Sequence, residues 1–340
     1  MKIMEENNVE ERIVELPLVS PMYSTYHTGI YSAVLANNLS IRNWYLNDMV
    51  ILTCDRVFLH GFTTPLITVV GDENPYLEKH PISMRFLREN VHTIIRNMLD
   101  DGYYVYFFGV DDYYVEGKSW YKERHLSHDG AICGYNEKEK TYCIYAYDKN
   151  WIYQKFWTPQ SAFEEGRKAC FAQGNIGSII ALKPKSDVVE FSPDTACRHI
   201  AEHLDSDLVR FPVTESGHVY GIVVHDYIAM YVGKLYDGSI PYERMDRRVF
   251  RLIWEHKKVM LERIKRIEEC WLWDTSLSSK YVQVVNDANA IRMLYAMHHK
   301  RRRDSILPIV QQKLLALKEE EYKVLNELIE RWKLRQKSEV

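Results

Sequence analysis

His128 and Asp148 stand twenty positions apart in "HDGAICGYNEKEKTYCIYAYD", one opening an apolar, β-rich run and the other closing the next. The polar connection "NEKEK" between the runs predicts a hairpin whose open ends lie level, with imidazole and carboxylate within hydrogen-bond reach. That is a general base with its orienting acid. The pair does chemistry only when a reacting group faces the other ring nitrogen, and a hydroxyl candidate lies far upstream: Thr28, followed by Gly29 in "STYHTGIYSAVL", which reads as the mouth of a helix. A thiol there, with an ordinary pKa of about 8.5, would be partly ionised near neutrality, whereas the threonine alcohol must lose its proton to the base during attack.

Secondary structure must bring these groups together. "MVILTCDRVFL" predicts a strand and turn or a strand pair, and "YYVYFFGVDDYYV" a buried strand. Between them Phe86, Leu87, Val91, Ile94, Ile95, Met98 and Leu99 recur at helical spacing and stop at Gly102. After the hairpin, "TPQSAFEEGRKACF" predicts a helix capped by Thr158 with Pro159 at its first position, and "GSIIALKP" a last strand. The expected class is α+β, with one domain over residues 1–185 and a helical domain over 186–340. In the latter, Val249, Ile253, Met260, Ile264, Ile267 and Trp271 form one apolar stripe, and Val310, Leu314, Leu317, Val324, Leu328 and Trp332 another. Such stripes predict antiparallel helix packing, or a homodimer surface where one stays uncovered.

Composition narrows the function classes. The 340 residues are 46% apolar and 13% aromatic, which suits a packed core rather than a disordered or fibrous chain. A net charge of -3 gives no general field for nucleic acid or anionic lipid. The six cysteines form no CxxC pair and no zinc-ligand spacing, so reduced, mostly buried thiols and no metal are expected. No Gly-rich phosphate loop or dinucleotide fingerprint occurs. An acidic N-terminal stretch without a long apolar run, and no segment of about 18 to 20 apolar residues, lead to the expectation of a cytoplasmic protein without a membrane span.

"HTGIYSAVL" is similar to the Cys-Gly-x-x-Ser opening of the first helix in papain-like bacterial peptidases of the bacteriocin-processing type, with Thr28 at the cysteine and Gly29 and Ser32 matching. "VDDYYVEGKSWYKERHLSHDGAICGYNEKEKTYCIYAYD" resembles the N-terminal domain family of butirosin biosynthesis protein H and its relatives beside nonribosomal peptide synthetases. The resemblance covers about residues 20 to 185. It implies a papain-like cysteine-peptidase-type domain followed by a helical C-terminal domain, and transfer of an acyl or peptidyl group from a carrier-protein thioester to a small-molecule amine. The phosphopantetheine of the partner carrier protein would then be the acyl donor's arm, and the chain would need no cofactor of its own. The chain departs from the pattern in having no cysteine before Cys54 and no glutamine just upstream of Thr28.

Thr28 therefore has three readings: a helix cap, the nucleophile of a Thr28-His128-Asp148 triad, or a bystander to His128 acting directly on a bound amine. A catalytically degenerate protein that docks on a synthetase is the alternative to an enzyme. His27 and His125 flank the same region and are candidate substrate-binding donors or structural rings. Asp111 and Asp112 are candidates for holding a substrate ammonium or a cation, against a role in satisfying a turn, with Asp112 taken as the substrate-binding residue. The run "HHKRRRD" places Arg301, Arg302 and Arg303 together, either as a solvated helix face or as a surface for an acidic carrier protein or its phosphate.

Overall fold

The computed structural model describes residues 12–17, 39–59, 65, 67–70, 77–87, 90–150, 152–185, 189–205 and 217–338. In chain order its elements begin with β1 (Ile13–Glu15), α1 (Leu39–Asp48), β2 (Ile51–Cys54), β3 (Ile67–Val70), β4 (Leu77–Ser83) and α2 (Val91–Asp100). Then come β5 (Tyr104–Asp111), β6 (Ser127–Asn136), β7 (Thr141–Tyr147), β8 (Tyr153–Pro159), α3 (Gln160–Ala172) and β9 (Ser178–Pro184). The remainder is α4 (Pro193–Leu204), β10 (Val219–Tyr220), α5 (Val224–Tyr236), α6 (Arg248–Trp271), α7 (Ser276–Arg301) and α8 (Ile306–Ser338). The chain is thus a mixed α+β protein, with an antiparallel sheet unit and a largely helical one.

The sheet unit contains described residues 12–17 and 77–185. Its strands run β4-β9-β5-β6-β7-β8, with β1 paired to the far end of β6, and every pairing is antiparallel. Alternation of side chains sends Val105, Phe107, Ile132, Ile144 and Ile179 into a core closed by Val91, Ile95 and Leu99 of α2 and Phe163 of α3. The expected hairpin is β6 and β7, with Ile132 opposite Ile144 and Asn136 opposite Thr141. Two details differ from the sequence reading. The helix begins only at Val91, after a separate 3-10 turn over Met84–Phe86 that leaves Phe86 exposed. Thr158 does not cap α3: strand β8 runs on to Pro159, and Thr158 is fully buried within it opposite Tyr142.

A glycine bulge in β5 sets the geometry of one end of this sheet. Gly109 has φ of 87°, a conformation that costs a side-chain-bearing residue, and a Cβ there would lie 2.4 Å from the Cα of Gly177. The extra residue moves the register from Phe108 opposite Asp129 to Val110 opposite His128. Asp112, two residues on, donates its N–H to the Leu126 carbonyl, so its side chain falls on the same face as that of His128. Without the bulge, Asp111 would occupy that face.

The other unit holds described residues 39–70 and 189–338, so the segment after Leu39 belongs with the helices rather than with the sheet domain drawn over 1–185. The reason is long-range pairing. Strand β2 is central to a small sheet ordered β10-β2-β3, and buried Arg263 of α6 donates to the carbonyls of Leu46, Met49 and Tyr45. The two apolar stripes are buried as expected at Val249, Ile253, Met260, Ile264 and Ile267, and at Val310, Leu314, Leu317, Val324 and Leu328.

Around them lies a dry ionisable cluster: His203, His225, His256, Lys257 and Glu321 all have no exposed surface. Glu321 accepts from Lys257 at 2.6 Å and from the Tyr281 hydroxyl at 2.7 Å. Burial, aided by the Lys257 charge, holds His203 down to about 3 and His225 to about 4, from an ordinary 6.5. Burial would raise Glu321, but the Lys257 ammonium overrides it and holds the carboxyl at about 2, from 4.5. Both kinds of group bind fewer protons folded than unfolded as the medium turns acidic. Stability is therefore expected to fall steadily below pH 6.5, with the histidines contributing first and Glu321 below pH 4.5. Urea midpoints from pH 7.5 to 4 check this, and a flat or rising profile would contradict it.

Candidate functional site

The end of β5 and the start of β6 build a linked set of charges. Asp112 is fully buried, and its Oδ2 lies 3.0 Å from His128 Nδ1. Its Oδ1 lies 3.0 Å from the ammonium of Lys118, itself 1% exposed. Lys118 also donates to the backbone carbonyl of Asp129 at 2.6 Å and approaches His128 Nδ1 to 3.5 Å. A carboxylate has no proton to give, so the Asp112 contact fixes Nδ1 as the protonated nitrogen of neutral His128 and leaves the Nε2 lone pair outward. The imidazole is 29% exposed, and Nε2 has Asp129 Oδ1 at 3.7 Å. A base whose tautomer is set from behind, on a ring that keeps part of its surface exposed, can take a proton from a bound nucleophile.

The carboxylate against His128 Nδ1 is thus Asp112, where Asp148 was expected. Beyond the pair Ala131 and Tyr145, β6 and β7 part, and Lys118 takes up the bridge to Asp148. The Asp148 carboxylate is consumed by its own turn: Oδ1 accepts from the N–H groups of Asn150 and Ile152 at 2.8 Å, and Oδ2 from Gln154 at 2.6 Å. Burial works to raise its pKa, and these bonds outweigh it and lower it. The carboxylate is the cap of a turn, and the segment carrying Lys118 enters beside the hairpin end. Lys118 lies in "VEGKSW", where a lysine carries no sequence signal of burial.

Asp112, expected among the substrate-binding residues, faces inward and holds the chain's own ammonium and imidazole in place of a ligand's. The turn role considered for the aspartates belongs to Asp111, which accepts from the N–H groups of Tyr113 and Leu126 at 3.1 and 3.0 Å. His125 is exposed, 2.8 Å from Asp111 Oδ2, with its ring stacked on Tyr113 at 4.2 Å. Thr28 and His27 lie outside the described residues, as do Gly29 and Ser32.

In the helical unit, Arg301, Arg302 and Arg303 are exposed at the end of α7. Arg302 ends that helix with φ of 48°, and its guanidinium lies over the Tyr242 ring at 4.3 Å. Five of the six thiols are buried and none is disulfide-bonded. Among the described residues, no group of three or more histidines, cysteines and carboxylates is placed to hold a metal, and no helix is long and apolar enough to cross a membrane. Scanned against known families the chain matches none, and no curated protein matches it.

Proposed function

We propose that the sheet unit is a papain-like acyl- or peptidyl-transfer domain of specialised-metabolite biosynthesis in which His128 is the general base and Asp112 its orienting acid. The observation that carries this reading is the partly exposed imidazole whose Nδ1 meets a fully buried carboxylate, with Nε2 on the side where Asp129 Oδ1 lies 3.7 Å away. In the reaction, the amine nitrogen attacks the thioester carbonyl carbon, His128 Nε2 takes the amine proton, the C–S bond breaks, and the proton passes to the departing thiolate of the carrier's phosphopantetheine. An amide and a free thiol result. Lys118 acts behind the pair: its ammonium lies 3.0 Å from Asp112 Oδ1 and holds the carboxylate with its other oxygen turned to His128 Nδ1. Arg301, Arg302 and Arg303 supply a basic surface for an acidic carrier protein.

Two measurements test this. Incubation with acyl-loaded carrier proteins and candidate amines, read by intact-protein mass, is expected to show acyl loss from the carrier in the wild type and not in His128→Ala. Thr28→Cys is expected to yield a thiol alkylated well below the ordinary pKa of about 8.5, and to return to that value when His128→Ala is added. Native thiols are subtracted with the single His128→Ala protein. Equal thiol reactivity in both backgrounds would separate Thr28 from His128 and remove the papain-like placement.

A further inference from the structure

Acyl transfer leaves one aromatic-lined cleft of the sheet unit unused. Between the loop over residues 113–122 and the first turns of α3 lies a cleft of about 350 Å³. Its aromatic walls are Tyr113, Tyr114 and Tyr121; its charged groups are the carboxylates of Glu116 and Glu165 and the ammonium of Lys122. We propose that this cleft binds an organic ammonium ligand, of the alkylated or quaternary kind. The assignment stands without the transfer reading.

Two features of the rings favour a cation. Tyr113 is clamped in orientation, stacked on His125 and edge-on to Tyr114 at 5.2 Å, so the wall is organised before any ligand arrives. A tyrosine face is the negative end of the ring quadrupole and attracts ammonium groups, most strongly where water is excluded. Two carboxylates against one lysine leave the lining with net negative charge, which excludes anions and adds to the attraction.

Lys122 already places a cation on one of these rings. Its ammonium lies over the Tyr121 ring, 5.1 Å from the centroid. The residue has φ of 55°, a left-handed conformation that a side chain with a Cβ adopts at a cost, and its N–H is tied to the Tyr113 carbonyl at 3.0 Å. The fold thus holds an unfavourable backbone conformation at the cleft and sets a cation on the ring. Because Lys122 is exposed, its flexible side chain can yield that place to a ligand cation.

Calorimetric titration of the full chain with choline, and with its uncharged isostere 3,3-dimethyl-1-butanol, tests the assignment. Choline is expected to bind at least about tenfold more tightly than the isostere, the margin that one or two cation–π contacts supply. Tyr121→Ala should abolish that margin, and Glu165→Gln, at an exposed position, should reduce it without affecting folding. Lys122→Gly should tighten choline severalfold, since it removes the competing ammonium and relaxes the backbone. His128→Ala should bind choline as the wild type does. Equal affinity for choline and the isostere, an unchanged margin in Tyr121→Ala and Glu165→Gln, or no choline binding by wild type and Lys122→Gly alike would overturn it. Choline binding without any acyl transfer would overturn the transfer reading alone.

Discussion

Asp112→Asn is expected to lower the proposed acyl transfer by about 10³ to 10⁴-fold, the scale seen when the orienting carboxylate of a histidine base is made neutral. The carboxylate can only accept, which forces the proton onto His128 Nδ1 and keeps Nε2 free to act as base. An asparagine can turn its NH₂ toward Nδ1, and the proton then moves to Nε2, where it blocks the reaction. The same substitution leaves the buried Lys118 ammonium without a counter-charge, a destabilisation of about 3–5 kcal/mol when the partner stays charged. Activity must therefore be compared at a temperature where near-UV circular dichroism shows both proteins folded. The double variant Asp112→Asn with Lys118→Met separates the effects, because it removes the stranded charge but not the tautomer error: stability should recover and activity should not. Recovery of both would make Asp112 a purely structural counter-ion. Asp148→Asn, by contrast, touches a turn and should leave the rate within a few-fold of wild type.

That contrast shows where the sequence is readable and where it stops. Local, repetitive burial is legible: the alternation in "YYVYFFGVD", the polar "NEKEK" between two apolar runs and the stripes of α6 and α8 each reflect one face turned inward. The helix α7 is harder to see. Its buried line runs Leu277, Tyr281, Val284, Ala288, Ile291 and Tyr295, but Val282, Val285, Met293, Leu294 and Met297 lie off that line and blur the stripe, and the N–H groups of Leu277 and Ser278 are capped from the preceding helix by Glu268. Placing residues 39–70 with the helical unit rests on strand pairing to Val219 and Tyr220 and on Arg263 reaching three carbonyls. Nothing in the local pattern encodes such distant partners.

The site was half legible for a similar reason. His128 could be singled out because a histidine opening an apolar strand is unusual, but its partner depends on register. Assigning Asp148 requires β6 and β7 to stay paired to their ends, and they part after Ala131 and Tyr145. Assigning Asp112 requires the one-residue slip at Gly109, whose only trace in the sequence is a glycine inside a strand, a known mark of a bulge. A single unpaired residue decides which of two adjacent aspartates lies under the imidazole.

Lys257→Met with Glu321 intact is expected to destabilise the helical unit by about 3–5 kcal/mol, a fall in Tm on the order of 10 °C. Both groups lack exposed surface, and the 2.6 Å contact is the carboxylate's only ammonium partner among the described hydrogen bonds. Without Lys257 the Glu321 charge stays buried beside His203 and His225, which burial keeps neutral at pH 7. The carboxyl can escape this by taking a proton, so its folded pKa rises above the ordinary value and its own contribution now favours the folded state as pH falls, opposing the loss from the buried histidines that wild type also suffers. The gap between the two proteins should accordingly narrow from pH 7.5 to pH 5. Removing the carboxylate as well, in Lys257→Met with Glu321→Leu, trades a desolvated ion pair for packing and should recover most of the loss. What remains is the Tyr281 hydroxyl, which donates to Glu321 at 2.7 Å and would lose that acceptor, at about 1–3 kcal/mol. Adding Tyr281→Phe removes that too. Urea unfolding followed by tryptophan fluorescence distinguishes the steps, and a single variant within about 1 kcal/mol of wild type at pH 7.5 would mean that water reaches Glu321 and that the cluster is not the dry core of this unit.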